Sequence, residues 1–294
     1  MTRLSTRIVP AYAKLNLSLT VVARRGDGWH DIDSVLVPID WHDLVGLTLT
    51  MADAGGVTLA VGGPASEGVP GGDSNLTVRA ARALQSLAGR PLGIRLWLSK
   101  TVPHGAGLGG GSADAAAVLR AGAEMLATQG IAIEPSRLAA AALQIGSDVP
   151  ALLALHAQRV EGRGERLKPL SVPPLHVAVA STVPSVTADT YGALLPAEVS
   201  DNGRPARLAR LLERGEAPAS DLMGSALEAA ACRANPDLAL AVERARAVVP
   251  GVRWHMTGSG GAVFALAPGR REAEALAAGM GAAGFRARAC RTIG

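Results

Sequence analysis

The segment Pro103-His104-Gly105-Ala106-Gly107-Leu108-Gly109-Gly110-Gly111-Ser112-Ala113-Asp114-Ala115-Ala116-Ala117 constrains this chain more than any other, because a glycine cluster runs there into a serine at the mouth of a helix. Five glycines in the seven positions 105–111 leave out the Cβ atoms that would hold a ligand off the backbone. Successive N–H groups can then converge on one anion. From Ala113 to about residue 127 strong helix formers dominate, with Ala115, Val118, Leu119 and Leu126 on one face. Ser112 is placed to N-cap this helix, whose positive end faces the loop. Gly122 is the weak point of the pattern. Taken alone, the segment suits a tight turn as well as an anion cradle. It lacks the Gly-Lys-Ser/Thr of a Walker loop, and it does not fit a dinucleotide fingerprint with an acid about 20 residues further on.

A chain of 294 residues that is 48% hydrophobic can bury a full core, and its length suggests two domains, expected at residues 1–165 and 166–294. No apolar run reaches the ~18 residues of a membrane span, and Lys14 breaks the early apolar stretch. Cys232 and Cys290 have no metal-site spacing, which fits packing roles in a reducing, cytoplasmic setting. The net charge of +4 is dispersed and only 3% of residues are aromatic, so neither a nucleic-acid stripe nor a stacking platform for single strands is indicated. The same balance suits a small anionic ligand. Among 29 basic residues only Lys14, Lys100 and Lys168 are lysine. In an arginine-biased chain, Lys14 and Lys100 point to places that need a compact ammonium.

Alternation over residues 14–20 predicts a half-buried strand within 7–22, with Lys14, Asn16 and Ser18 on one face and Leu15, Leu17 and Leu19 in the core. Turn chemistry at residues 24–28 precedes strands at 32–39 and 44–49. Helical spacing follows at 75–87, a strand at 92–98, a helix at 135–144 and a further helical stretch opening at 145–150. Residues 159–170 read as a hairpin or domain junction. Beyond them come a strand at 176–181, helices at 208–214, 221–231 and 236–248, and strands at 252–256 and 262–266. The mixture lacks a strict βαβα repeat, so the class is α+β.

The order Ala13-Lys14-Leu15-Asn16-Leu17, then Pro103 through Gly107-Leu108-Gly109-Gly110-Gly111-Ser112, then Gly258-Ser259-Gly260-Gly261 resembles the three motifs of the GHMP kinase superfamily. The resemblance spans nearly the whole chain. It implies a ribosomal-protein-S5-like N-terminal domain that binds ATP, a ferredoxin-like C-terminal domain, and an active site in the cleft between them. More narrowly, Gly26-Asp27-Gly28-Trp29-His30, Gly146-Ser147-Asp148-Val149-Pro150 and the segment 256–264 are similar to the family that phosphorylates the 2-hydroxyl of 4-diphosphocytidyl-2-C-methyl-D-erythritol, in the non-mevalonate isoprenoid route.

The resemblance further implies that Pro103, Gly105, Gly107, Leu108, Gly109, Gly110, Gly111 and Ser112 cradle the ATP phosphates, with Ser112 beside Mg²⁺. Asn75 matches a helix start near the adenine, and Lys100 a position lining the nucleotide entrance. Asp148 matches the aspartate that takes the substrate hydroxyl proton, and Lys14 the lysine that sits beside it. Read without the resemblance, Asp148 is first a helix N-cap before Val149-Pro150, and the two roles are compatible. Asn16, disfavoured inside a strand, matches a contact to the methylerythritol part. Trp29 stands where the family usually has tyrosine stacked near the cytosine, and His30 where a histidine meets its edge. Thr187 and Tyr191 match the other side of the cytidine pocket, and Gly258, Ser259 and Gly260 the substrate loop. Asp114 stands where asparagine is frequent. Other superfamily kinases, acting on homoserine, mevalonate or a sugar, are the alternative, and a non-catalytic ligand sensor on the same fold is a further one. The Trp29-His30 pair favours a cytidine ester.

Overall fold

The computed structural model describes residues 2–51 and 56–293. Alternating apolar residues build the strand β1 (Thr2–Arg24), and after a tight turn β2 (His30–Met51) follows. That turn closes through the Arg25 N–H, which donates to the Trp29 carbonyl at 2.8 Å, with Gly28 at φ 85°. β2 is one strand where the sequence suggests two. Polar residues at 40, 42 and 43 interrupt the apolar pattern, but the fold accommodates them: the buried Asp43 carboxylate accepts the N–H groups of Thr101 (2.5 Å) and Val102 (2.9 Å).

The chain groups into two compact units that interleave along the sequence. The first comprises Met1–Ala13, His42–His104 and Gly109–Ala154; the second comprises Lys14–Trp41, Gly105–Leu108 and Leu155–Gly294. In the first, β3 (Val57–Gly62) runs parallel to β4 (Leu92–Ser99), and β4 pairs antiparallel with β2 from Leu44 opposite Ser99 to Met51 opposite Leu92. The helices are α1 (Leu76–Ala88), α2 (Gly110–Ala127), α3 (Pro135–Ile145) and α4 (Val149–Ala154). Val45, Leu47, Leu49, Leu84, Ile94, Leu98, Val118, Leu119 and Leu126 form the core. The alanines of α2 let α1 come close, and a Cβ at Gly122 would run into the Leu84 side chain, so the weak helix former is where two helices approach. The helix begins earlier than the sequence suggests, at Gly110 with Gly109 in the left-handed region (φ 69°), so Ser112 lies in the first turn and is not the N-cap.

In the second unit β5 (Gln158–Gly162) and β6 (Arg166–Pro169) form the expected hairpin, and β5 pairs with β2 from Ile32 opposite Gly162. Then come β7 (His176–Ser181), α5 (Thr187–Gly192), α6 (Arg204–Glu213), β8 (Gly224–Ser225), α7 (Glu228–Ala234), α8 (Pro236–Val248), β9 (His255–Met256), β10 (Ala262–Ala267), α9 (Arg270–Ala282) and β11 (Arg286–Arg291). A four-stranded antiparallel sheet in the order β11-β7-β10-β9 carries a core that includes Ala178, Ala180, Leu238, Val242, Trp254, Met256, Val263 and Met280. The architecture is α+β throughout.

Several local expectations change. Residues 14–20 of β1 are buried on both faces, with none above 4% exposure, so the polar face of that strand is interior too. The expected helix at 221–231 is a short 3₁₀ turn at Ser220–Leu222, then β8, which pairs parallel with β1 at Ser18 and Leu19, and then α7. The strand at 252–256 is only two residues long. β3, α9 and β11 were not expected from the pattern; β11 alternates arginine with Ala and Cys, a weak apolar signal. Among the described residues no helix is long and apolar enough to cross a membrane.

Candidate active site

Within the second unit, β1 delivers Lys14 and Asn16, two residues apart on one face. The Lys14 Nζ donates to Asn16 Oδ1 (2.6 Å) and to the Gly107 carbonyl (2.9 Å). Asn16 is held in turn: its Nδ2 donates to Ser34 Oγ on β2 (2.7 Å), and its backbone N–H donates to Thr257 Oγ1 (2.8 Å). These partners explain how a strand interior tolerates an asparagine, since each buried polar group is satisfied. The backbone is equally tight. A Cβ at Gly107 (φ 70°) would strike the Gly260 carbonyl and lie 2.9 Å from that of Thr257, and a Cβ at Gly258 would lie 3.2 Å from Lys14 Nζ and 3.3 Å from Asn16 Oδ1. The two glycine-rich segments therefore interlock through bare backbone, with the ammonium at the seam.

The loop around Ser259 is pinned by hydroxyls. Ser185 Oγ and Thr190 Oγ1 both donate to the Ser259 carbonyl (2.9 and 3.1 Å), Thr187 Oγ1 and Ser259 Oγ lie 2.9 Å apart, and Ser225 Oγ donates to the Gly258 carbonyl (2.6 Å). Nearby, the rings of His30 and Tyr191 meet with centroids 5.1 Å apart. Burial, and then the Arg24 charge, lower the pKa of His30, so near neutrality its ring offers one donor and one acceptor. Trp29 is 50% exposed, with the Arg163 guanidinium 3.9 Å from its ring centroid.

In the first unit, Gly109 turns the chain into α2, and Ala113 is the first residue to donate back into the helix, to the Gly109 carbonyl (2.8 Å). The N–H groups of Gly110, Gly111 and Ser112 therefore have no partner within the helix and leave an end that suits an anion. A Cβ at Gly146 would lie 3.9 Å from Ser112 Oγ, which places the hydroxyl against the Gly146-Ser147-Asp148 segment. Asp148 stands half-buried directly before α4, with its carbonyl accepting from Leu152 N (3.2 Å).

Asn75 and Lys100, expected beside the nucleotide, have protein partners of their own. Asn75 is the N-cap of α1: its Oδ1 accepts from Thr77 N and its Nδ2 donates to the Pro70 carbonyl, both at 2.8 Å. Lys100 is 3% exposed and is clamped between Asp43 and Asp114, the latter at 2.5 Å. Its ammonium braces the root of the glycine loop, 3.5 Å from where a Cβ on Gly110 would sit. Burial, only partly offset by Lys100 and reinforced by the Asp43 charge, pushes the Asp114 carboxyl up to about 7. The two carboxylates outweigh burial at Lys100 and raise its pKa. Sequence reasoning did not single out Ser34, Asp43, Arg163, Ser185, Thr190, Ser225 or Thr257. A lone serine, threonine or aspartate carries no periodicity, and only the polar residues within the apolar run of β2 offered a hint.

Residues 75–154 match the GHMP kinases N terminal domain. A protein of Pelotomaculum thermopropionicum named 4-diphosphocytidyl-2-C-methyl-D-erythritol kinase is 36% identical over 271 residues, which cover 91% of each chain. A protein of the same name from Thermus thermophilus is 38% identical over 284 residues, covering 92% of each. This chain belongs to the 4-diphosphocytidyl-2-C-methyl-D-erythritol kinase family. A solved structure of 4-(cytidine 5'-diphospho)-2C-methyl-D-erythritol kinase agrees, with a TM-score of 0.76, 35% identity, and coverage of 98% of this chain and 100% of that one. Within this kinase family the chain has the Lys14–Asn16 pair, the glycine loop ending in Ser112, and Asp148 before a helix.

Proposed function

We infer that this family member transfers the γ-phosphoryl group of ATP to the 2-hydroxyl of 4-diphosphocytidyl-2-C-methyl-D-erythritol, a step in non-mevalonate isoprenoid precursor biosynthesis. The observation that carries this reading is the buried Lys14 ammonium at the seam of two glycine segments, in a chain whose relatives over nine-tenths of its length are kinases of that name. Phosphoryl transfer needs placement and a sink for charge more than covalent chemistry. The free N–H groups of Gly110, Gly111 and Ser112 hold the phosphates at the positive end of α2. Lys14 supplies a compact positive charge for the phosphoryl oxygens. Asp148 accepts the proton of the attacking hydroxyl, assistance typically worth about 10²–10⁴-fold in rate. Asn16 orients the methylerythritol hydroxyls, and Trp29, His30, Thr187 and Tyr191 receive the cytidine.

Ser112 offers a hard oxygen donor, partly exposed at the loop end, of the kind Mg²⁺ takes when nucleotide oxygens complete its shell. The ion, held by Ser112, would neutralise charge on the transferred group. A coupled ATP-consumption assay with the cytidylyl ester, homoserine and mevalonate as competing acceptors tests the reading. Turnover with the ester alone is expected; preferential turnover of homoserine or mevalonate would replace it with another GHMP kinase activity.

A further inference from the structure

The β5–β6 hairpin tip places Arg163 on the face of Trp29, its guanidinium carbon 3.9 Å from the ring centroid, well within cation–π range. The backbone that carries Arg163 is held in place. Gly162 and Gly164 adopt φ 72° and 116° on either side of it, and its backbone N–H donates to the Glu165 carboxylate at 2.6 Å. Gly162 pairs with Ile32, two residues beyond His30, so the hairpin tip is tied in register to the segment that carries Trp29. A structural arginine ordinarily ends on a carboxylate. Arg163 makes no ion pair among the described residues, although its charge acts on Asp27 and its own N–H meets Glu165, and its Nε is buried without a hydrogen-bond partner. The guanidinium lies against the indole.

We propose that Arg163 is a specificity-determining residue for the cytidine diphosphate ester, acting by holding the Trp29 indole as the platform on which the pyrimidine stacks. This rests on the function proposed above. An exposed aromatic on a turn loses rotamer freedom when a base stacks on it; a cation on one face removes that freedom beforehand, so less is lost on binding. Trp29 is half exposed despite the arginine, which leaves ring surface for a ligand, and the His30–Tyr191 ring pair lies next along the chain from it. The pairing also accounts for tryptophan at this position. Indole is the best cation–π partner of the aromatic side chains, so an arginine at residue 163 and a tryptophan at residue 29 form a matched couple where a phenol would be held less firmly.

A double-mutant cycle tests this. KM for the cytidylyl ester and for ATP is measured in wild type, Arg163→Ala, Trp29→Ala and the double variant. Cytidine 5'-diphosphate is titrated against tryptophan fluorescence in parallel. Arg163→Ala is expected to raise KM for the ester about two- to fivefold, with the effect on KM rather than kcat and none on KM for ATP. In the Trp29→Ala background the same change should add nothing. An unchanged KM in Arg163→Ala, or an equal rise with and without Trp29, overturns the proposal: the first removes any role, and the second makes Arg163 a direct ligand contact. A cytidine diphosphate titration that needs about two- to fivefold more ligand in Arg163→Ala, with Trp29 emission retained, supports it. If wild type does not phosphorylate the ester at all, the proposed function falls and this inference with it; if wild type does and Arg163→Ala matches it, this inference alone falls.

Discussion

Replacing Gly107 with alanine should cost far more than a surface loop glycine normally does, and the cost divides into two parts. Gly107 sits at φ 70°, where an L-residue pays roughly 1–2 kcal/mol. The added Cβ would also strike the Gly260 carbonyl and stand 2.9 Å from that of Thr257. Both obstacles are backbone atoms that cannot rotate away, and such overpacking costs typically about 1–3 kcal/mol. The sum is roughly 2–5 kcal/mol, a large share of the ~5–15 kcal/mol by which folded proteins are stable. Gly89 supplies the control. It has nearly the same φ, 65°, but nothing within 4 Å of an added Cβ, so Gly89→Ala carries only the first part. Denaturant unfolding of the two variants isolates the clash, expected as a further loss of about 1–3 kcal/mol in Gly107→Ala at unchanged m. The loop must shift to relieve the clash, and the Gly107 carbonyl, 2.9 Å from Lys14 Nζ, moves with it, so kcat should fall as well. Equal destabilisation of the two variants together with full activity in Gly107→Ala would refute the interlocked-backbone reasoning.

Asp148→Asn keeps the shape of the side chain but removes the proton acceptor, so kcat should drop about 10²–10⁴-fold while ATP affinity by calorimetry stays within a few-fold; near-wild-type turnover would remove Asp148 from its role. Lys14→Arg should also lose most of its kcat, because Asn16, Gly107 and Gly258 crowd the ammonium and leave no room for a planar guanidinium; an active arginine variant would show the site to be wider than it is here. Burial, and then the Arg253 and Arg246 charges, depress the His255 pKa from 6.5 to about 4. Folding therefore favours the neutral ring: the unfolded chain binds the extra proton between about pH 6.5 and 4, and stability falls as pH falls through that window. Urea unfolding at pH 7 and pH 5 should differ by roughly 2 kcal/mol from this group, and His255→Asn should reduce that difference; an unchanged pH dependence would place the sensitivity elsewhere.

Several of the residues that gather at the candidate site were legible before any fold was known. The glycine run with its helix, the rare lysines, and the Asn16 out of place in a strand are all local signals, and each marks a residue that the structure brings to a cluster of polar or backbone groups. The expected hairpin at 159–170, the strand at 176–181 and the helix at 236–248 were likewise legible, because hairpin composition, β-branched alternation and 3.6-residue spacing survive without tertiary help. Lys100 shows where such reading stops. A lysine before a glycine loop suggests a ligand contact, but whether it faces a nucleotide or two carboxylates depends on Asp43 and Asp114, 57 positions before it and 14 after.

What the amino-acid order determined by itself is most of the elements, though not β3, α9 or β11, and the glycine-rich loop that opens α2, since backbone propensity, missing Cβ atoms and apolar periodicity act over a few residues. Only the tertiary structure decided that residues 14–20 are buried on both faces, that Gly107 and Gly258 meet around one ammonium, and that Arg163 rests on Trp29. Each of these joins residues about 90 to 250 positions apart, or follows from what packs over a face, and burial and long-range contact leave no imprint on local periodicity.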